Sequence, residues 1–264
     1  MNAPLLYSVM LLAVDVGNTS TVMGLYEGPE LLAHWRVATD RMRMADQYAV
    51  LLKNLLELDG VPPPRRAIVS SVVPPAEREI GAALARYWGV TATVVRSDLV
   101  ADLLVIETDN PREVGADRIV NAVAALEYDA AALVVVDFGT ATNFDLVLKP
   151  NRLLGVALAP GPMIAADALF ARAAKLPRVD LVAPAAAVGK NTVTALQSGL
   201  VFGYASMVDG MVRRFKHEID PALGAPLVIA TGGFATTLEG LCEEVMVTEP
   251  LLTLAGLRLI AGAR

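Results

Sequence analysis

Two similar acidic turns lie in the two halves of the chain. Residues 15–20 read Asp-Val-Gly-Asn-Thr-Ser, and residues 137–142 read Asp-Phe-Gly-Thr-Ala-Thr, 122 positions later. In each turn the glycine lets the backbone approach an anion, the hydroxyl and amide groups offer hydrogen bonds, and the aspartate can hold a cation. The pair therefore predicts phosphate and cation chemistry, whereas either turn alone could be an ordinary hairpin turn.

A third candidate is a polar helix near the middle of the chain. Residues 110–113 read Asn-Pro-Arg-Glu, which is typical of a helix start, and Gly115 follows. A helical period places Asp117 and Asn121 on one face, with Arg118 beside them. This face could hold a carboxylate at a cleft, or it could be a solvated surface on which Arg118 pairs with a glutamate.

Several other sites are excluded by residue type and spacing. Residues 189–192 resemble the end of a P-loop, but Pro184 stands where that motif needs its first glycine. No dinucleotide-binding glycine motif follows a strand, and there is no Gly-x-Ser-x-Gly elbow. Cys242 is the only cysteine, which excludes an internal disulfide and a thiolate cluster. The only two histidines, His34 and His217, have no plausible metal partner nearby, so we expect both histidines to be structural or surface residues.

Composition limits the class of protein. The chain has 264 residues, 55% of them apolar, yet its longest uncharged stretch, residues 191–208, is too polar for a membrane span. Its 22 basic and 28 acidic residues give a net charge of −6, which argues against broad nucleic-acid binding. We expect a cytoplasmic protein that binds neither membrane nor nucleic acid, in which residues 1–9 are an extension before Met10.

Strands and helices are expected to alternate, which is typical of an α/β protein. Short apolar runs predict strands at residues 11–16, 67–73, 91–95, 133–136 and 227–230, and hairpin partners follow at 21–26 and 143–148. Alanine- and leucine-rich segments predict helices at residues 45–57, 77–88, 113–128 and 192–214. The repeated acidic turn predicts two copies of one architecture, each contributing a hairpin to a shared cleft.

Beyond these features, the chain resembles the type III pantothenate kinases, a family of the actin/Hsp70/sugar-kinase superfamily. The resemblance covers nearly the whole chain from Met10. It includes Ser-Ser-Val-Val-Pro at residues 70–74 and Asp-Asn-Pro-Arg-Glu-Val-Gly-Ala-Asp-Arg at residues 109–118. The other matching segments are residues 15–19, 137–142, 159–161, 174–177, 188–192, 197–199 and 231–233.

The resemblance implies a fold of two ribonuclease-H-like domains, at about residues 10–112 and 113–264, with a cleft between them. It implies ATP-dependent phosphorylation of pantothenate to 4'-phosphopantothenate for coenzyme A synthesis, with Asp117 as the general base and Mg²⁺ on the ATP phosphates. Asp137 would hold potassium or ammonium, and the family is typically homodimeric. The ATP-binding residues would be Asp15, Val16, Gly17, Asn18, Thr19, Ser20, Thr21, Val22 and Thr140. The pantothenate-binding residues would be Gly115, Ala116, Asp117, Arg118 and Thr192, and residues 231–233 would pack the adenosine.

Three positions differ from the usual family pattern. Thr108 stands in place of tyrosine near the acceptor, Asn143 in place of threonine, and Val156 in place of the second glycine of a pair. Two alternatives to the active kinase therefore stay open: a regulatory or accessory protein that keeps the fold, and an ATPase or sugar-kinase relative of other specificity. Retention of Asp15, Asp117, Arg118 and Asp137 favours the active kinase over the accessory protein. The segment at residues 115–118 and the short chain favour it over the relative of other specificity.

Overall fold

The computed structural model describes residues 9–173 and 175–263, so the expected extension at residues 1–9 lies outside the described residues except for Val9. The described residues form two compact units that are interleaved along the chain. Unit 1 comprises residues 9–104, 110–124 and 253–263. Unit 2 comprises residues 105–109 and 125–252, apart from 174.

Unit 1 is built on a five-stranded sheet with the order β3-β2-β1-β4-β5. The strands are β1 (Met10–Val16), β2 (Ser20–Glu27), β3 (Glu30–Ala38), β4 (Arg66–Ser71) and β5 (Ala92–Val94). The helices are α1 (Ala45–Asp59), α2 (Pro74–Trp88), α3 (Ala116–Ala125) and α7 (Leu252–Gly262). Alternate residues of β1, such as Leu12 and Val14, enter one core with Leu52 of α1 and Ile80 of α2, because strand side chains point to opposite faces in turn.

Unit 2 is built on a six-stranded sheet with the order β11-β10-β7-β8-β9-β6. The strands are β6 (Val105–Ile106), β7 (Ala132–Phe138), β8 (Ala141–Leu148), β9 (Arg152–Pro160), β10 (Leu227–Thr231) and β11 (Val247–Thr248). The helices are α4 (Pro162–Arg172), α5 (Thr192–Glu218) and the short α6 (Ala235–Leu238). Val201, Val208 and Val212 of α5 enter one core with Val134 and Val136 of β7.

The two sheets repeat one topology. In unit 1, β1 pairs antiparallel with β2 and parallel with β4; in unit 2, β7 pairs antiparallel with β8 and parallel with β10. A third antiparallel strand, β3 or β9, follows each hairpin. Asp15 and Asp137 occupy equivalent places near the ends of the two central strands, which confirms the expected duplication of one architecture.

The helix expected at residues 113–128 is shorter than predicted. Asn110 does precede a helical turn, but that turn is the 3-10 helix Pro111–Glu113, and Val114 then takes an extended backbone conformation. The α-helix begins only at Ala116, after Gly115, and ends at Ala125. The domain limits at residues 112 and 113 stay a prediction; α3 and α7 belong for the most part to unit 1, so that unit is not one continuous segment.

The C-terminal helix α7 packs closely on α3. A Cβ atom on Gly256 would lie 2.2 Å from the Val120 carbonyl oxygen, so only glycine permits this approach. Next to this contact, the Thr253 hydroxyl donates a 2.8 Å hydrogen bond to Oδ1 of Asn121, which is completely buried. This packing fixes the helix that carries Asp117. None of the described helices has the length and apolar character needed to cross a membrane.

The contact between α7 and α3 predicts opposite effects for two Gly→Ala substitutions. Gly256→Ala places a methyl group against backbone and forces the helices apart, so we expect a loss of about 1–3 kcal/mol of unfolding free energy. Gly210→Ala in α5 meets no atom within 4 Å and should gain roughly 0.5–1 kcal/mol, because alanine is the better helix former. Urea unfolding of both variants measures the difference, and equal stability of the two would contradict the packing.

Candidate active site

The first acidic turn joins β1 to β2. The Gly17 amide donates a 3.1 Å hydrogen bond to the Ser20 carbonyl, and a Cβ atom on Gly17 would lie only 3.1 Å from that oxygen. Asn18 and Thr19 are exposed at the tip, where their polar groups can meet a ligand. Val16, in contrast, is completely buried, so it can offer a ligand only backbone groups.

The end of β3 braces this turn. Thr39 donates from its hydroxyl to the Gly17 carbonyl at 2.7 Å and from its amide to the Thr19 carbonyl at 3.0 Å. The hydroxyl of Thr21, which is completely buried, lies 2.9 Å from the same Thr39 hydroxyl. Arg41 donates a 3.0 Å hydrogen bond to the Asn18 side chain and adds a positive charge at the rim. Sequence reasoning missed Thr39 and Arg41, because they follow a strand that it did not predict.

The second acidic turn joins β7 to β8 and is braced by the loop before α4. Gly139 donates to the Ala141 carbonyl at 3.0 Å, and Gly161 donates to the Thr140 carbonyl at 2.9 Å. A Cβ atom on Gly161 would lie 2.3 Å from the Gly139 carbonyl oxygen and 2.4 Å from that of Thr140. Gly161 is thus required by close backbone approach; its only sequence indication was the matching segment at residues 159–161.

Oxygen and nitrogen groups surround Asp137 on its face of the unit 2 sheet. Asn143 lies opposite Asp137 on β8, and Thr231 lies opposite it on β10. Gly232 follows with a φ of +89°, and a Cβ atom there would lie 2.4 Å from Oδ1 of Asp137. The Asp137 carboxylate therefore rests against the end of β10. Among the described residues, no group of three or more His, Cys, Asp or Glu side chains could hold a metal ion, so a cation at Asp137 would draw on other oxygen donors.

Asp117 lies in the first turn of α3 and is half-buried. Its Oδ1 accepts a 2.9 Å hydrogen bond from the Arg118 amide, and a Cβ atom on Gly115 would lie 2.5 Å from the same oxygen. The carboxylate therefore folds back over Gly115. A Cβ atom on Gly115 would also lie 3.8 Å from the side chain of Val72, just beyond β4. Burial raises the pKa of the Asp117 carboxyl above its ordinary value, while the hydrogen bond and the charge of Arg118 act in the opposite direction.

The predicted site residues divide between the two units. Unit 1 holds the first turn together with residues 115–118, so Asp15 and Asp117 share one compact unit. Unit 2 holds Asp137 and Thr140 of the second turn. It also holds Thr192, which is exposed at the first position of α5, after the cap formed by residue 191.

Other candidate groups carry no chemistry. Burial raises the pKa of the Cys242 thiol to about 12, so this side chain remains a protonated thiol at neutral pH. His34 and His217 are both exposed, as expected of surface residues. The hydroxyl of Thr108, one of the three departures from the family pattern, is buried without a hydrogen-bond partner among the described residues.

Comparison with known proteins identifies the class. The structure of a Baf family transcriptional activator from Campylobacter jejuni superposes with a TM-score of 0.57 at 17% identity, and the match covers 96% of this chain and 98% of that one. The structure of a polyphosphate/ATP-glucomannokinase from Arthrobacter sp. strain KM superposes with a TM-score of 0.50 at 16% identity, and the match covers 97% of this chain and 100% of that one. At these identities the likeness concerns the fold alone, which is the two-unit, ribonuclease-H-like α/β fold of the actin-like ATPases and sugar kinases.

Sequence comparison gives the family. The type III pantothenate kinase family model matches residues 11–214. A type III pantothenate kinase of Thermus thermophilus is 59% identical over 251 residues, which make up 94% of this chain and 97% of that relative. The chain therefore belongs to the type III pantothenate kinase family, and the protein is an ATP-dependent phosphotransferase.

The raised pKa of Asp117 makes the stability of Asp117→Asn depend on pH in a defined direction. Because the folded protein binds this proton more tightly than the unfolded chain, Asp117 stabilises the fold at acidic pH, and this contribution is lost as the pH rises through the raised pKa. The asparagine side chain does not titrate, so the variant does not lose this contribution to stability as the pH rises. The Tm of Asp117→Asn relative to wild type should therefore increase between about pH 4 and pH 8.

The control for losing one negative charge is Asp129→Asn, since Asp129 is exposed. Thermal unfolding of the three proteins in the same buffers gives the comparison. If the Tm of Asp117→Asn relative to wild type stays constant or falls between about pH 4 and pH 8, the carboxyl is not destabilised by burial.

Proposed function

We propose that the protein transfers the γ-phosphoryl group of ATP to the primary hydroxyl of pantothenate, giving 4'-phosphopantothenate in coenzyme A biosynthesis. The observation that carries the mechanism is Asp117, a half-buried carboxylate with a raised pKa in the unit that holds the first acidic turn. Family membership supports the substrate, because the relatives are named for it. The fold alone leaves the acceptor open.

ATP binding is assigned to the two acidic turns. In the first, the proposed residues are Asp15 to Val22, with Asn18 and Thr19 offering exposed polar groups and the backbone contributing at Val16. In the second, Thr140 is held in place by Gly161 and is half-buried. Rigid turns suit this reaction, because phosphoryl transfer depends on positioning and on neutralising charge more than on covalent chemistry.

Two kinds of cation fit the acidic turns. Asp15 offers a carboxylate for the magnesium carried by ATP, and this ion neutralises charge on the phosphates when bound. Asp137 is assigned the monovalent cation, potassium or ammonium. The fit rests on Asn143, which lies opposite Asp137 on β8 and offers an amide oxygen beside the carboxylate, since hard cations favour oxygen ligands.

The acceptor is assigned to the start of α3. Asp117 accepts the proton of the pantothenate hydroxyl as the hydroxyl oxygen attacks the γ-phosphorus of ATP. The raised pKa of the Asp117 carboxyl makes it a stronger base than an exposed aspartate. Arg118 suits the carboxylate of pantothenate, because its charge is fixed and its planar fork matches a carboxylate. Gly115, Ala116 and Thr192 complete the proposed acceptor site.

Two further properties belong to this proposal. A homodimer is supported by three large apolar side chains that α4 exposes, Met163, Ile164 and Leu169, because exposed apolar patches commonly mark association surfaces. A cytoplasmic location is supported by a single cysteine that is buried as a free thiol.

The proposed activity predicts ADP release that requires pantothenate. In a coupled assay with magnesium and ATP, wild-type protein should release ADP only when pantothenate is present, and faster with potassium than without it. ADP release that ignores pantothenate would indicate an ATPase or another kinase. Absence of turnover under every condition would indicate an accessory protein that keeps the fold.

The base assignment predicts the effect of Asp117→Asn on turnover. Asparagine keeps the size and can still hydrogen-bond the acceptor, but it cannot take the proton. We expect kcat to fall by roughly 10²–10⁴-fold with ATP binding little changed.

Steady-state kinetics at saturating ATP and potassium, with pantothenate varied, separate this role from simple positioning. If Asp117 only positions the acceptor, the KM for pantothenate rises and kcat stays within about fivefold of wild type. That result would contradict the assignment of Asp117 as the general base, and it would not contradict the proposed phosphorylation of pantothenate.

A further inference from the structure

A buried serine lies beside Asp15. Ser70 is completely buried on β4, and its hydroxyl has no hydrogen-bond partner among the residues that the structure describes. In the parallel pair of β1 and β4, Ser70 is the register partner of Asp15. Neighbouring strands lie about 4.8 Å apart and register partners share a face, so the hydroxyl lies within reach of the carboxylate after a side-chain rotation.

The same arrangement recurs in unit 2. Thr231 is 1% exposed, and its hydroxyl also lacks a partner within the described part of the chain. Thr231 is the register partner of Asp137 in the parallel pair of β7 and β10. Each half of the chain thus places a buried hydroxyl next to the aspartate of its acidic turn.

This recurrence needs a physical reason. A buried hydroxyl without a partner destabilises the fold, so such groups are rare unless something satisfies them. Two other buried threonines show the usual case: Thr21 is hydrogen-bonded to Thr39, and Thr142 to Tyr204. Ser70 and Thr231 differ from these two threonines because each is the register partner of the turn's aspartate on a neighbouring parallel strand.

We propose that Ser70 and Thr231 are positioning residues that hydrogen-bond the carboxylates of Asp15 and Asp137 when these bind their cations. The inference rests on the proposed function, which assigns magnesium with ATP to the first turn and a monovalent cation to the second. A carboxylate that ligates a cation normally also accepts a hydrogen bond from a neighbouring group, which fixes its orientation. Loss of that hydrogen bond typically lowers cation affinity about 10–100-fold. Without ligand, the hydroxyl contributes no hydrogen bond to stability.

The test compares stability and cation dependence in Ser70→Ala and Thr231→Val. Neither variant should lose thermal stability without ligand, because neither removes an existing hydrogen bond. Calorimetric titration of Ser70→Ala should show a loss of at least about tenfold in affinity for ATP with magnesium, and no change for ATP in EDTA. For Thr231→Val, the KCl concentration that gives half of the thermal shift should rise by at least about tenfold, and Thr231→Ser should restore it.

The controls come from neighbouring residues. The Ser71 hydroxyl accepts a 3.0 Å hydrogen bond from the Val73 amide at the start of α2, so Ser71→Ala should lower Tm and leave the magnesium dependence unchanged. Asp137→Asn should abolish the potassium-dependent thermal shift.

Two results would overturn the inference. If Ser70→Ala and Thr231→Val lose stability without ligand and keep the cation dependence of wild type, the hydroxyls are structural and only this inference fails. If wild-type protein shows no response to ATP with magnesium or to KCl, the proposed function fails together with it.

Discussion

The constraint on which the site depends is the close packing of backbone around two aspartates at the ends of buried strands. Val14 and Val136, each one residue before the aspartate, are completely buried, so a shift of the chain at either turn would expose apolar surface. Each turn is then braced from outside, by Thr39 in unit 1 and by Gly161 in unit 2. Rigid turns present carboxylates and amides in fixed directions, which is the preorganisation that phosphoryl transfer requires.

The position of Asp117 follows from a second constraint, the contact between α3 and α7. Gly256 allows α7 to reach the backbone of α3, and Asn121 is buried in that contact. Holding α3 in this way keeps Asp117 in a place where burial disfavours its charge. The same burial costs folding stability at neutral pH and would strengthen the carboxylate in its proposed role as a base, so the proposal predicts that stability and activity oppose one another at this residue.

The sequence predicted the elements with strong periodicity and missed those without it. The central strands and α5 combine long apolar patterns with clear ends, and the duplicated acidic turn was sufficient to predict two related sheets. Strand β3 lies at the sheet edge and shows no regular alternation, since Leu31, Leu32 and Ala33 are all half-buried and only Trp35 is buried, so its pattern is weak. The start of α3 was misplaced because Asn110 and Pro111 begin a 3-10 turn whose continuation Val114 prevents.

The candidate site was predicted from motifs, and the structure adds contacts that no motif indicated. The roles proposed for Asp15, Asp117 and Asp137 rest on recurring motifs and family resemblance, which depend on local sequence. The bracing by Thr39, the close approach of Gly232 to Asp137 and the buried hydroxyl of Ser70 depend on strands distant in sequence coming together. No local pattern encodes such contacts, because register and packing determine them.

The proposed reaction is phosphorylation of the primary hydroxyl of pantothenate. Phosphorus NMR of the reaction mixture, recorded without proton decoupling, tests it directly. Transfer to the primary hydroxyl gives a new phosphate monoester signal split into a triplet by the two protons of the adjacent methylene group. Inorganic phosphate as the only new product besides ADP, or a doublet from the secondary hydroxyl, would contradict it.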